Sequence, residues 1–82
     1  MYYMYVLKSE KDSTFYIGCT KDLRQRILHH NNGDSLATKS AKPWHLVYYE
    51  AYTSLKLARR RELKLKHHGK GLSELKKRIL ED

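Results

Sequence analysis

The sequence is poor in cysteine, which stabilises small secreted domains, and in long apolar stretches, which anchor membrane proteins. Its 82 residues include one cysteine, Cys19, so it cannot form the internal disulfides that support many small secreted domains. Its longest apolar stretch, Met1 to Leu7, is far shorter than the roughly 20 residues that span a bilayer, and no basic segment precedes it. No linker, repeat or low-complexity segment is evident. We therefore expect one domain over residues 1–82 of a soluble, cytoplasmic protein with no membrane partner.

Acidic residues are also scarce, since 9 Asp and Glu stand against 17 Lys and Arg and give a formal charge of +8. The excess is uneven, because residues 55–82 hold ten basic and four acidic side chains. A surplus of this size favours a polyanionic partner such as nucleic acid. A solvated helical surface with a chance bias would give the same composition.

The first third of the chain has the pattern of a β-hairpin. Residues 2–8 and 14–19 are rich in β-formers and are separated by a polar stretch. Alternation then places Tyr16 and Gly18 on one face of the second strand. A symmetric loop would pair Tyr5 with Tyr16, and Gly18 would leave a gap without a side chain beside the two rings.

The rest of the chain is predicted to alternate between helix and strand. Thr20 or Asp22 would cap the first helix, and Asn31 to Gly33 would end it. Thr53 or Ser54 would cap the second. The predicted elements are a helix over 21–30, a loop over 33–44, a strand over 45–52, a helix over 55–67 ended by Gly69 and Gly71, and a last amphipathic helix. Leu72, Leu75 and Ile79 form the apolar side of that last helix, with Leu80 as a further candidate.

Three polar residues fall within or beside apolar helix faces. At 100° per residue, Arg26 and His30 flank the apolar stripe of the first helix, and Glu62 lies inside that of the second. An ionised carboxylate is costly to bury alone, so Glu62 should be protonated, ion-paired or bound to a metal. A salt bridge from Glu62 to Arg26 would be a purely structural solution, and the pattern does not choose between these roles.

These residues together resemble the GIY-YIG nuclease family. Tyr16-Ile17-Gly18 is a literal YIG, eleven residues after Tyr5, and Arg26 follows Gly18 by eight. The likeness continues through His30 and the Arg61-Glu62 step, and is strongest to small stand-alone members similar to the Slx-type and UvrC N-terminal nuclease domains. One departure is that Tyr3-Met4 replaces the Gly-Ile of the first half of the motif.

The resemblance implies an α+β fold of element order β-β-α-β-α-α, in which helices flank a small three-stranded antiparallel sheet. It implies one divalent metal, Mg²⁺ or alternatively Mn²⁺, at Glu62, since such hard ions accept one carboxylate and complete their shell with water. Tyr5 or Tyr16 would position or deprotonate the attacking water. Arg26 would stabilise charge on the phosphate. His30 would orient the phosphate or help protonate the leaving 3′-oxygen.

The implied activity is that of a DNA endonuclease that acts on branched, flapped or damaged DNA in repair or recombination. No base-reading element is evident, so basic side chains should contact the backbone. An alternative is a nucleic-acid-binding module of the same fold that cleaves weakly or not at all without a protein partner to extend its surface. A third is a structural domain without activity. The predicted backbone contacts are Lys21, Lys39, Lys42, Arg59, Arg60, Lys64 and Lys66.

Overall fold

The structure, a computed structural model, describes residues 1–67 and 69–80 and is built on a three-stranded antiparallel sheet. Strand β1 covers Tyr2–Ser9, β2 covers Phe15–Thr20, and β3 covers Trp44–Tyr52. The strand order is β2-β1-β3, so β1 is central and β2 and β3 are edge strands. This confirms the predicted α+β fold and its order of elements.

The hairpin register differs from the predicted one by two residues. Tyr5 pairs with Gly18, and Leu7 pairs with Tyr16, so the prediction that Tyr5 lies opposite Tyr16 is wrong. Side-chain hydrogen bonds in the loop explain the difference. The Ser9 hydroxyl accepts from the Lys11 and Asp12 amides, and the Asp12 carboxylate accepts from the Thr14 amide. These bonds move the centre of the turn along the chain toward β2, and this changes which residues of the two strands pair. A shift of two keeps both tyrosines on the same face.

Helix α1 covers Leu23–Asn31 and begins at Asp22, whose carboxylate accepts from the Gln25 amide at 3.1 Å. Of the two predicted caps, Asp22 is therefore the one used. Gly33 follows the helix with a φ of +79°, a left-handed conformation that favours glycine. A short 3₁₀ helix, Lys39–Ala41, lies within the segment predicted to be a loop.

Helix α2 covers Leu55–His67, and the Ser54 hydroxyl accepts from the Leu57 amide at its start. Helix α3 covers Gly69–Leu80, so α2 ends at His67 as predicted, but Gly69 and Gly71 lie in the first turn of α3 and not in a break between the helices. Packing outweighs the low helix propensity of glycine, because the apolar face of α3 is buried against the sheet and α2. His68, between the helices, lies outside the described residues.

The sheet has a separate apolar cluster on each face. On one face, α2 and α3 cover Met4, Val6 and Ile17 with Leu65 and Leu75. On the other, Tyr5, Leu7 and Trp44 pack with partly buried residues of α1 and β2. Both faces of β1 are therefore buried. None of the helices among the described residues is long and apolar enough to cross a membrane.

Glu50 of β3 ties α2 to the sheet. Its carboxylate accepts hydrogen bonds from Tyr48 at 2.6 Å and Tyr52 at 2.5 Å, and from two guanidinium nitrogens of Arg61 at 2.9 and 3.3 Å. Burial opposes ionisation of Glu50, but these hydrogen bonds outweigh it and lower the pKa of the carboxyl. Because Arg61 precedes Glu62, the same contacts fix the rotation of α2 that points Glu62 toward β2.

We expect Glu50→Gln to lower the free energy of unfolding by about 2 kcal/mol, since several hydrogen bonds to a charged acceptor are weakened. The matched control is Glu10→Gln, because the Glu10–His45 pair is more than half exposed and should contribute below about 0.5 kcal/mol. The Glu50 contribution is complete above the ordinary carboxyl pKa and is lost as the pH falls through its lowered value. Urea melts at neutral and acidic pH measure both effects, and equal midpoints for the two variants would contradict the assignment.

Candidate active site

A cleft of about 350 Å³ lies at the open edge of β2. Because β2 is an edge strand, side chains from both faces of the sheet can meet around it. Tyr5 and Tyr16 approach from the face that α1 covers, and Cys19 from the opposite face. The residues that line the cleft are Tyr5, Tyr16, Gly18, Cys19, Arg26 of α1, and Arg59, Glu62 and Leu63 of α2.

The backbone of Gly18 forms the floor on which the Tyr5 phenol rests. A Cβ atom at Gly18 would lie 2.5 Å from the Tyr5 hydroxyl oxygen and 2.7 Å from Cζ, distances that real Cβ atoms do not show. The glycine of the YIG triplet is therefore a steric requirement. The unusual first half of the motif lies elsewhere, since Met4 is buried on the opposite face and Tyr3 packs against Tyr49.

The Tyr5 hydroxyl belongs to a short buried chain of hydrogen bonds. It lies 2.9 Å from Nε2 of His30, whose Nδ1 lies 2.7 Å from the hydroxyl of Thr38. Burial, followed by the positive charge of Arg26, lowers the pKa of His30. In a neutral imidazole one nitrogen donates and the other accepts, so one hydroxyl donates to the ring and the other accepts from it. Burial also raises the pKa of Tyr5, so both rings are uncharged at neutral pH.

The ring of Tyr16 packs against two other aromatic rings and is partly exposed to the cleft. Its ring centroid lies 5.0 Å from that of His30 and 6.2 Å from that of Trp44, both edge-on. The Lys66 ammonium lies 5.8 Å from the ring centroid. Tyr16 is thus the more accessible of the two tyrosines and lies close to a positive charge.

Glu62 supplies the carboxylate of the cleft and is ion-paired within its own helix. One carboxylate oxygen lies 2.6 Å from Nζ of Lys66, one turn later, and the Glu62 side chain is 19% exposed. Glu62 is therefore ion-paired, one of the three states expected for it, but its partner among the described residues is Lys66 and not Arg26, the partner in the purely structural alternative. The Cys19 thiol lies beside the carboxylate, and burial, followed by Glu62, raises its pKa to about 12.

The structure brings together most, but not all, of the predicted site residues. Tyr5, Tyr16, Arg26 and Glu62 line the cleft, whereas His30 is 1% exposed and lies beneath it. Of the predicted DNA contacts, Arg59 lines the cleft, and Lys66 contacts two residues that do, Glu62 and Tyr16. The others are more peripheral: Lys21 lines an adjoining depression, Lys39 and Lys42 lie beside Gly33 after α1, and Arg60 and Lys64 are exposed on α2.

Three residues near the cleft were not anticipated from the sequence. Cys19 follows Gly18, and its side chain points to the opposite face of the sheet. It still lines the cleft, because the cleft lies at the edge of β2, where side chains from both faces can meet. Leu63 is 55% exposed and follows Glu62. A helical projection of the sequence could have predicted its place near the cleft. Thr38 gave no signal, because a loop of irregular conformation brings it to His30.

The chain is similar to known proteins in both sequence and structure. Residues 1–77 match the family model described as the GIY-YIG catalytic domain. The UPF0213 protein of Staphylococcus saprophyticus is 39% identical over 66 residues, 79% of each chain. That of Clostridium perfringens is 40% identical over 67 residues, 80% of this chain and 71% of the other. The solution NMR structure of the UPF0213 protein BH0048 from Bacillus halodurans has a TM-score of 0.55 at 31% identity, with 93% of this chain and 84% of that one covered.

We expect Gly18→Ala to displace the Tyr5 ring and to lower the free energy of unfolding by about 1–3 kcal/mol, as overpacked interiors do. Gly71→Ala is the matched control, since a Cβ there would make an ordinary 3.6 Å contact with Leu65 inside a helix. That change should be neutral or stabilising by up to about 1 kcal/mol. Thermal unfolding of both variants measures the difference, and a Gly18→Ala protein as stable as the wild type would contradict the steric argument.

Proposed function

This chain belongs to the GIY-YIG domain family, and from that membership we propose that its cleft is the active site of a DNA endonuclease that hydrolyses phosphodiester bonds with a divalent metal. The observation that carries the proposal is the meeting of unlike groups at one edge of the sheet. Two phenols, two guanidinium groups and one carboxylate line the same cleft. Together they supply what phosphodiester hydrolysis needs, which is water activation, charge stabilisation and a metal ligand.

Glu62 is the residue that would hold the metal, with Mg²⁺ as the first choice and Mn²⁺ as an alternative. The donor set fits, because such ions bind through one or two carboxylates while water and phosphate fill the remaining positions. A cation already lies at this carboxylate, since the Lys66 ammonium is 2.6 Å from it. When bound, a divalent metal would polarise the phosphate and lower the pKa of bound water.

Tyr16 is the better placed tyrosine to orient the attacking water and accept its proton. It is partly exposed to the cleft, and its ring centroid lies 5.8 Å from the Lys66 ammonium. Tyr5 is 2% exposed, and its raised pKa keeps it a neutral phenol, so it has no phenolate with which to accept a proton at neutral pH. We assign Tyr5 a positioning role, in which His30 and Thr38 hold its hydroxyl above Gly18.

Arg26 and Arg59 are the groups that would bind the phosphate and stabilise the charge that builds on it. They enter the cleft from α1 and α2, on opposite sides of β2, and a guanidinium can hold two phosphate oxygens at once. His30 differs, because its two ring nitrogens are engaged with Tyr5 and Thr38 in the buried layer. We therefore infer that His30 acts through Tyr5 and not on the phosphate or the leaving oxygen directly.

The substrate we propose is DNA read by shape, either branched or flapped, in repair or recombination. The basic side chains around the cleft carry charge and no obvious base-reading pattern, which suits backbone contacts of salt-dependent affinity. The predicted contacts at Lys21, Lys39, Lys42, Arg60 and Lys64 would extend this surface beyond the cleft. A protein partner that adds binding area fits the small size of the fold.

Glu62→Ala should abolish cleavage, because no other described residue supplies a carboxylate to the cleft. Stability should change by less than about 1 kcal/mol, since the lost ion pair is partly exposed and lies within one helix. Cleavage of labelled flap, fork, four-way-junction and linear duplex DNA with Mg²⁺ or Mn²⁺, alongside a thermal melt, tests both. Equal cleavage by the wild type and by Glu62→Ala would refute the assignment of the active site. DNA binding without cleavage by the wild type would favour the binding-module alternative.

Replacing each tyrosine with phenylalanine separates their roles. We expect Tyr16→Phe to lower the cleavage rate by about 100-fold or more, as loss of a general base does, and Tyr5→Phe by only about tenfold. Single-turnover cleavage at several pH values is the measurement. The reverse order would assign water activation to Tyr5, and equal small losses would show that neither phenol activates water.

Lys66→Met should raise the affinity of the protein for Mn²⁺ by about fivefold or more, because the ammonium competes with the metal for the Glu62 carboxylate. Lys64→Met is the matched control, with the same change in charge on a side chain that points away from Glu62 along the helix. It should alter the affinity by less than about twofold. Isothermal titration calorimetry without DNA measures both, and equal effects would mean that only net charge matters.

A further inference from the structure

An apolar trough runs along the outward surface of α2, beside the cleft. Leu55 and Leu63 form its floor and are 38% and 55% exposed. Lys56, Arg59 and Arg60 form its rim. Leu63 and Arg59 also line the cleft, so the trough and the cleft are one continuous surface.

The leucines of the trough are not displaced core residues. Leu55, Arg59 and Leu63 are spaced by four and follow one line along the helix. The buried residues of α2, Ala58 and Leu65, lie about 140–160° around the helix from Leu63 and about 60–80° from Leu55, and Leu65 packs against the sheet. An apolar strip that is exposed beside an active-site cleft and lined with cations is typical of a binding surface.

We propose that this trough binds an unpaired nucleobase next to the phosphate held in the cleft, so that the substrate is DNA whose cleaved strand is single at that point. The inference rests on the proposed nuclease function and specifies its substrate class. Arg59 and Leu63 line both the cleft and the trough, so a base attached next to a phosphate held by Arg59 can lie over Leu63.

The chemistry of the trough separates unpaired from paired DNA. In a duplex the faces of the bases are stacked inside and the charged backbone is outside, so a duplex would lay phosphates on Leu55 and Leu63. An unpaired strand offers a base face to the leucines and its phosphates to Lys56, Arg59 and Arg60. Every base has an apolar face, so this mode tolerates any sequence. It needs no base-reading side chain.

Charge favours a nucleic acid over a protein as the occupant. The rim carries three cations, and Glu62, the acid nearest to it along the chain, is already paired with Lys66. A phosphodiester strand brings one negative charge with each base, which matches cations that alternate with leucines. A protein would have to offer an acidic amphipathic segment to match the same pattern.

The test compares two single strands of equal charge, about 12 nucleotides long, one of thymidines and one of abasic residues. Fluorescence anisotropy in EDTA, without cleavage, should show that the wild-type protein binds the thymidine strand about tenfold more tightly. Leu63→Ser and Leu55→Ser should reduce that preference to about twofold. Leu57→Ser is the matched control, because Leu57 is 40% exposed on another side of the same helix, and it should keep the full preference.

Equal binding of the two strands by the wild type, or the same loss in Leu57→Ser as in Leu63→Ser, would overturn the inference. So would a wild-type dimer that Leu63→Ser dissociates without a change in DNA binding, because the trough would then be a self-association surface. If the protein cleaved a fully paired duplex as fast as it cleaved the unpaired arm of a fork, the proposed substrate class would be wrong. A base preference without cleavage of any DNA would support the trough and refute the nuclease function, so the two failures are distinguishable.

Discussion

The contact between the Tyr5 phenol and the backbone of Gly18 is the constraint on which the cleft depends. It requires that β1 and β2 pair with Tyr5 opposite Gly18, and that residue 18 has no side chain. Because β2 is an edge strand, the gap opens to the side of the sheet. Arg26 from one face and Glu62 from the other therefore reach a common space, although their helices cover opposite faces. A site of this kind cannot form beside a central strand, whose two edges are occupied by neighbours.

Burial divides the site into two layers with different chemistry. The lower layer of Tyr5, His30 and Thr38 is buried, and burial keeps its two rings neutral by shifting their pKa values in opposite directions. The upper layer is partly exposed and holds the charges, with the Glu62 carboxylate balanced by Lys66. Neutral and charged groups of the cleft are in this way separated by depth.

The sequence predicts the architecture well, because the signals for it are local. Alternating β-formers, the Asp22 cap and the left-handed Gly33 each report on their own few residues, and the structure agrees with all three. The hairpin register was missed because it is set by side-chain hydrogen bonds of Ser9 and Asp12, which composition does not reveal. The glycines of α3 misled in the same way, since packing decided their conformation.

For the site, periodicity identified the unusual acid but not its partner. A polar residue in an apolar stripe marks Glu62 as special, yet Arg26 and Lys66 were both available cations and only geometry selects Lys66. The juxtaposition of Cys19 with Tyr16 was hidden, because alternation assigns adjacent strand residues to opposite faces and gives no warning that an edge reunites them. The roles of the predicted catalytic residues remain predictions that rest on this geometry.

The most direct test of the account is whether a divalent metal binds where the two faces meet at the edge of β2. Trace Mn²⁺ added to ¹⁵N-labelled protein broadens the amide signals of residues near the bound ion. The account predicts broadening at Gly18 and Cys19 of β2 together with Glu62 and Leu63 of α2, and loss of that pattern in Glu62→Ala. Broadening centred on another acidic residue such as Asp34 or Glu74, or a pattern unchanged in Glu62→Ala, would contradict it.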